Sequence, residues 1–142
     1  MASDHDDIKR LLESFATALR AKDVDGVMAH YRANALAFDL APPLQHRHGE
    51  IKVGLQEWFR TWERGIGYDT RDLTITAGSE VAFAHSLNHL TGRRTDGTAT
   101  DVWFRATVCF RKGDGAWKVA HEHTSVPFYM DGSFRAAVDL KP

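Results

Sequence analysis

The segment from Asp101 to Phe128 constrains the fold most, because it predicts two long antiparallel strands joined by a tight Gly-Asp-Gly turn at residues 113–115. Successive side chains of a strand point to opposite faces. Counting by twos from Trp117 therefore places one set of side chains on a common face: Val119, His121, His123 and Ser125. Because this face changes from apolar to polar along the strand, we expect it to wall a pocket with an apolar floor and a polar mouth.

Three helices are predicted before these strands. Ser3 or Asp4 caps a first helix whose apolar residues recur at three- and four-residue steps: Ile8, Leu11, Leu12, Phe15, Ala16 and Leu19. Asp23 caps a short second helix that carries Val24, Val27, Met28 and Tyr31. After a loop at residues 44–50, a third helix carries a broad apolar stripe: Ile51, Leu55, Trp58, Phe59 and Trp62.

Strand patterns follow a different order along the chain. Residues 35–40 predict one strand between the second and third helices, and Pro42-Pro43 ends it. From Tyr68 onward the apolar period falls to two, which predicts four consecutive strands. Helices followed by a strand meander indicate the α+β class. We expect one domain over residues 1–142, in which a curved antiparallel sheet wraps around the N-terminal helix as a cone.

The amino-acid composition and net charge restrict the classes of partner that we expect for this protein. With 142 residues and 43% hydrophobic content, the chain can bury a substantial core. Its net charge of -1 gives no basic face for nucleic acid or an anionic membrane. The polar N-terminus and the lack of a long apolar run predict a soluble cytoplasmic protein. Cys109, the only cysteine, fits a reducing compartment and is read as a packing residue.

Two stretches carry a family resemblance. The K-D-V-D-G sequence at Lys22 to Gly26 and the W-K-V-A-H-E-H-T-S-V-P sequence at Trp117 to Pro127 resemble the NTF2-like superfamily. Within it, the chain is most similar to SnoaL-like, ketosteroid-isomerase-related bacterial proteins. The segment from Asp114 to Ser125 also resembles the last hairpin of the calcium/calmodulin-dependent kinase II association domain.

The resemblance implies an NTF2-like or cystatin-like cone with a pocket between helix and sheet, and a homodimer formed through the convex sheet face. Members isomerise ketosteroids, close polyketide rings, dehydrate small molecules, bind ligands or oligomerise, so the fold does not decide the activity. We expect a cofactor-independent enzyme that transfers protons on, isomerises or dehydrates a small carbonyl compound. The alternative is a non-catalytic ligand-binding or oligomerisation module.

The same resemblance places Asp39 where the family has its catalytic base. Ketosteroid isomerases add two oxyanion donors, a tyrosine and a protonated aspartate. Phe15 stands at the tyrosine's position, and the aspartate's position falls near Ala106 or Thr107. Because loss of one oxyanion donor costs on the order of a hundredfold in rate, the resemblance argues against steroid isomerisation by the same groups.

His121 and His123 are the predicted partners of Asp39, as proton donors or oxyanion binders. Two alternatives remain open for them: hydrogen-bonded core histidines, or a metal pair completed by His85, His89 or Asp39. An i, i+2 histidine pair is a weak metal signal, so no metal and no other cofactor is predicted.

Further residues are predicted to bind the small-molecule ligand: Phe15, Tyr31, Trp58, Trp62, Arg105 and Ser125. Arg105 alternates with Trp103 and Thr107, opposite the apolar Phe104 and Ala106. It reaches a substrate carboxylate only if a bulge turns it inward. His46 and His48, in the loop after Pro43, are second-rank candidates.

Overall fold

The computed structural model describes residues 3–142, which form three helices and a six-stranded curved, unclosed sheet. The helices are α1 (Asp4–Arg20), α2 (Val24–Met28) and α3 (His48–Phe59). The strands are β1 (Tyr31–Phe38), β2 (His46–Arg47), β3 (Gly67–Ala77), β4 (Val81–Arg93), β5 (Ala99–Gly113) and β6 (Ala116–Ser125). Their spatial order is β2-β1-β6-β5-β4-β3, with β1 and β6 parallel and every other neighbouring pair antiparallel. The predicted α+β class is confirmed.

The first two helices begin at side-chain caps that the sequence predicts. The Ser3 hydroxyl accepts a 3.1 Å hydrogen bond from the Asp6 N–H, and the Asp23 carboxylate accepts one of 3.0 Å from the Gly26 N–H. Each bond satisfies an N–H group that the helix itself leaves without a partner. Among residues 3–142, no helix has the length and apolar character needed to cross a membrane.

The inner face of the sheet, which the helices cover, carries the core. Buried and exposed residues alternate along β4 and β5, as a strand with one covered face requires. The buried set on these strands is Ala82, Ala84, Asn88, Leu90, Phe104, Ala106 and Phe110. At one end of the cone, Ile8 of α1 and Phe110 are fully buried. The apolar face predicted for β5 is therefore confirmed as the inner face.

Two local predictions are wrong. Tyr31, predicted on α2, begins β1, because α2 ends at Met28 and the His30 carbonyl accepts a 2.8 Å hydrogen bond from the Val119 N–H. That bond draws the chain into the sheet. Residues 44–50, predicted as a loop, contain β2 and the start of α3, where the Glu50 carboxylate accepts a 3.0 Å hydrogen bond from the Arg47 N–H.

Candidate functional site

A cavity of about 1230 Å³ lies between the inner face of the sheet and the helices. Most of its wall is apolar. Helices α1 and α3 contribute Leu11, Leu12, Phe15, Ile51, Leu55 and Trp58, and the sheet contributes Leu90, Val102, Phe104 and Val108. A large apolar cavity with a few polar groups is the usual form of a small-molecule site.

A bulge in β6 decides which polar groups enter this cavity. Val119 pairs with Phe110 and His121 pairs with the adjacent Cys109, so two residues of β6 are passed for one of β5 and Ala120 is extra. Beyond this extra residue, each side chain of β6 points to the face opposite to the one that regular alternation from Trp117 would give. Val119 and Glu122 consequently both face inward, and Glu122 lines the cavity.

The prediction that His121 and His123 share a face with Trp117 and Val119 is therefore wrong. Both histidines lie on the outer face of the sheet, where the Phe38 ring contacts them with centroid distances of 4.6 and 5.4 Å. The His121 Nδ1 lies 2.6 Å from the Leu36 carbonyl oxygen. Neither ring lines the cavity.

Arg105 is not turned inward either. Its side chain is exposed on the outer face, and its Nε donates a 3.1 Å hydrogen bond to the Ser125 hydroxyl. Ser125, at the end of β6, also lines the cavity. Because no bulge occurs between Arg105 and Phe104 or Ala106, the alternation of β5 keeps Arg105 outside.

Glu122 and Tyr31 form a pair inside the cone. The Tyr31 hydroxyl, on the first residue of β1, donates a 2.7 Å hydrogen bond to Glu122 Oε1. Burial raises the pKa of Glu122 to about 7, and the charge of Asp39 adds to this increase. The hydrogen bond from Tyr31 acts in the opposite direction, because it stabilises the carboxylate. Glu122 can therefore hold or release a proton near neutral pH.

Asp39 is the second carboxyl group of the site. It follows β1 directly, is exposed, and lines the mouth of the cavity. One of its oxygens accepts hydrogen bonds of 2.7 Å from the Leu40 N–H and 3.3 Å from the Thr124 hydroxyl. Thr124 lies two residues beyond Glu122 on the same face of β6, so the bulge also supplies this contact.

Two neutral polar groups complete the wall on β3 and β4. Burial, followed by the charge of Glu122, raises the pKa of Tyr68, which keeps its hydroxyl protonated as a donor. Asn88 is 2% exposed, and its Oδ1 accepts hydrogen bonds of 3.0 Å from Thr70 and 3.3 Å from Ser86. These bonds occupy the oxygen, so the amide nitrogen is left to donate at the cavity wall.

Comparison with known proteins agrees with this architecture. A family model described as the SnoaL-like domain matches residues 8–129. An NTF2-like protein of unknown function from Pseudomonas putida is 31% identical, with a TM-score of 0.88 over 97% of this chain and 96% of that one.

The chain belongs to the SnoaL-like domain family.

Two further solved structures share the fold. A candidate scytalone dehydratase from Novosphingobium aromaticivorans is 20% identical, with a TM-score of 0.76 over 92% of the SnoaL-like chain and 89% of its own. A ketosteroid isomerase-like protein from Erwinia carotovora is 20% identical, with a TM-score of 0.75 over 88% and 97%. A search of curated proteins finds no match to the sequence.

The SnoaL-like cavity also contains some of the residues predicted as ligand-binding. Phe15, Tyr31 and Trp58 line it, together with Asp39 and Ser125. Trp62 is 2% exposed and lies behind the wall, with its ring 5.4 Å from that of Trp58. His46 lines the mouth, with its Nε2 3.2 Å from the Ala41 carbonyl oxygen. Within residues 3–142, no three His, Cys, Asp or Glu side chains converge as a metal site would require.

Glu122, Tyr68 and Asn88 are site groups that the sequence reasoning missed. A strict alternation from Trp117 assigns Glu122 to the outer face, and no glycine or other break marks the bulge at Ala120. The nearest signal is the charged Glu122 between two histidines, because one of these polar residues has to face the core side of a strand buried on one face. In this SnoaL-like protein, the residue that faces the core side is Glu122.

Proposed function

We propose that this SnoaL-like protein is a cofactor-independent enzyme that isomerises or dehydrates a small carbonyl compound. The observation that carries the proposal is Glu122, a carboxyl group in an apolar cavity with a pKa of about 7 and a hydrogen bond from Tyr31. General acid–base catalysis is most efficient when the catalytic pKa lies near the working pH.

Two carboxyl groups in different environments permit a division of roles. Asp39, at the exposed mouth, takes the proton from the carbon next to the substrate carbonyl. Glu122, in the buried wall, is the acid. It protonates the carbonyl oxygen during isomerisation, or the departing hydroxyl of a β-hydroxy ketone, which then leaves as water while the carbon–carbon double bond forms. Enzymes commonly place two carboxyl groups in different environments, so that one acts as the acid and the other as the base.

Tyr68 and the Asn88 amide lie on the opposite strands and support this reaction as donors to the developing oxyanion. They would replace the two oxyanion donors of ketosteroid isomerases, whose positions fall at Phe15 and near Ala106 or Thr107 in this chain. The dehydratase-like and isomerase-like structures of the same fold are consistent with this chemistry, although likeness at 20% identity extends to the fold alone.

The test is exchange of α-protons for deuterium, followed by NMR, on a panel of cyclic ketones and β-hydroxy ketones. We expect Glu122→Gln and Asp39→Asn each to lower the exchange or dehydration rate by about a hundredfold, as loss of an acid or base does. His123→Gln on the outer face is the control and retains the wild-type rate. If ligands stabilise the protein but the wild type exchanges no proton, the chain is a binding module instead.

The proposal includes a homodimer formed through the outer face. On this face Phe83 is 45% exposed and Val81 is 57% exposed, two residues apart on β4, and the half-buried Phe38 and Trp103 lie on β1 and β5. Apolar side chains grouped on a sheet face are typical of a protein contact.

A free Cys109 fits a reducing compartment, so the proposed enzyme works in the cytoplasm.

A further inference from the structure

Arg94 lies at the rim of the cavity, directly after β4 and away from Glu122. Its guanidinium carbon stacks 4.2 Å from the Trp62 ring centroid. Its Nε donates a 3.2 Å hydrogen bond to the Thr100 hydroxyl, and its Nη1 donates to the Thr61 hydroxyl. The side chain is thus held in place by an aromatic face and two neutral acceptors.

The charge of Arg94 has no carboxylate partner among the residues that the structure describes. Among residues 3–142, none of the ion pairs involves Arg94. The pKa of Asp96 is lowered chiefly by hydrogen bonds from the Thr98 hydroxyl at 2.6 Å and the Thr98 N–H at 2.9 Å, and the charge of Arg94 adds to this decrease. Two of the five N–H donors of a guanidinium are used, which leaves three for another acceptor.

Other cations cluster at the same end of the cone. Arg20 lines the cavity and donates to the Tyr68 carbonyl oxygen at 2.9 and 2.7 Å, while Lys22 donates to the Trp62 carbonyl oxygen at 3.1 Å. Neither forms an ion pair within the described part of the chain. Asp69 also lines the cavity here and is exposed. The Nε1 of Trp62 is buried behind the wall and has no acceptor among residues 3–142.

The cavity therefore has a cationic end and an acidic wall, separated along β5. Glu122 lies opposite Val108, and Thr100 beside Arg94 lies eight residues earlier on the same strand. At about 3.3 Å per residue, this is roughly 26 Å along the bent strand, shortened across the cavity by the side chains that reach in from both ends. A ligand that meets both groups has to be elongated.

We propose that Arg94 is an anion subsite that binds the carboxylate of an elongated, mainly apolar acid, whose carbonyl or hydroxyl group then lies at Glu122. The reacting end of this inference rests on the proposed function, whereas the carboxylate end does not. An arginine with free donors binds a carboxylate through charge-assisted, often paired hydrogen bonds. The Thr100 hydroxyl accepts from Arg94 and keeps its own proton to donate to the same anion.

The test is calorimetric binding of aromatic acids, each compared with its primary amide: benzoate, 2-naphthoate and biphenyl-4-carboxylate. We expect the wild type to bind the acids about tenfold or more tightly than the amides, as charge-assisted hydrogen bonds imply, with biphenyl-4-carboxylate the tightest of the three. Arg94→Gln loses the preference for the acid and leaves amide binding unchanged. Arg105→Gln, which removes an arginine from the outer face, keeps the preference and is the matched control.

Several outcomes would overturn the anion subsite. One is a wild type that binds acid and amide equally, which needs no variant and so does not depend on the folding of Arg94→Gln. Another is an Arg94→Gln protein that unfolds at a lower temperature but keeps the acid preference, since Arg94 would then only hold Trp62 in place. A preference for the shortest acid would contradict the elongated ligand.

The failure of this inference can be distinguished from failure of the proposed function. Glu122→Gln should keep the acid preference, because its effect is on proton transfer. Proton exchange on neutral ketones without any acid preference refutes the anion subsite and leaves the catalytic proposal intact. If the wild type prefers the acids but Glu122→Gln exchanges protons at the wild-type rate, the anion subsite is supported and the catalytic role of Glu122 is refuted.

Discussion

The Tyr31 hydroxyl donates a 2.7 Å hydrogen bond to Glu122 Oε1, and this contact joins residues that are 91 positions apart in the chain. Strands β1 and β6 are parallel neighbours in the sheet, which places the first residue of β1 beside the middle of β6. Tyr31 is 5% exposed, so its hydroxyl needs a buried acceptor. Glu122 provides that acceptor from the wall of the cavity.

The stability of the protein should depend on pH through Glu122. Its pKa in the folded state, about 7, is higher than the 4.5 of an unperturbed glutamate, so the folded state holds the proton more tightly. The contribution is complete below pH 4.5 and is lost as the pH rises through about 7, by on the order of 1–3 kcal/mol. Urea denaturation from pH 5 to 8.5 measures this loss.

Glu122→Gln should remove most of that pH dependence and be more stable than the wild type at pH 8. Glu57→Gln, on the exposed side of α3, is the control and should follow the wild-type curve. Wild-type stability that rises between pH 5 and 8 while that of Glu122→Gln does not would contradict the raised pKa.

Tyr31→Phe should move the pKa of Glu122 further upward. The hydrogen bond from Tyr31 stabilises the carboxylate, so its removal favours the protonated acid. If protonated Glu122 is the acid, the rate declines above pH 7 in the wild type and at a higher pH in Tyr31→Phe. The pH profile of α-proton exchange measures the shift. A decline at lower pH in the variant would count against this role.

Gly92→Ala and Gly54→Ala should change stability in opposite directions. Gly92 has a φ of 150°, and an added Cβ would lie 2.6 Å from the Trp62 ring. We expect a loss of about 1–3 kcal/mol, because that ring is fully packed. Gly54 lies inside α3 with no atom near an added Cβ, so alanine should add about 0.5–1 kcal/mol. Thermal and urea unfolding of both variants measure the difference, and equal signs would refute this packing account.

Phe83→Glu should dissociate the proposed homodimer. A charge at the centre of an apolar contact is left without its water shell or a partner, which disfavours association. Light scattering after gel filtration should give twice the 15.9 kDa protomer mass for the wild type and the protomer mass for the variant. Leu44→Glu, at a side chain that is 94% exposed in the loop after Pro43, should remain dimeric. A monomeric wild type would rule out the homodimer.

Much of the architecture could be predicted from local patterns. Helix caps at Ser3 and Asp23 follow from short-range hydrogen bonding, and the α+β class follows from the change of apolar period near Tyr68. The alternation of β5 also predicted correctly that Phe104 lies on the apolar face, which is the inner one, whereas Arg105, predicted to bind the ligand, lies outside the cavity. These features depend on neighbours within a few residues, which the sequence displays directly.

Fewer of the site residues could be predicted from local patterns. Asp39, Phe15 and Trp58 were expected at the cavity and line it, whereas His121 and His123 were assigned to the wrong face. Arg94 was not predicted as a site residue. Its position depends on Trp62 and Thr61, which are more than 30 residues away in the chain.

The amino-acid sequence by itself determined the three helices, the four long strands after Tyr68 and the apolar surface that forms the core, since each depends on side-chain periodicity, but it did not show β2. Only the tertiary structure decided that Glu122 enters the cavity, because one extra residue at Ala120 reverses the faces of the strand beyond it. Pairing with β1 and β5 determines where such a residue is accommodated. That choice is a property of the whole sheet, and no local pattern in β6 encodes it.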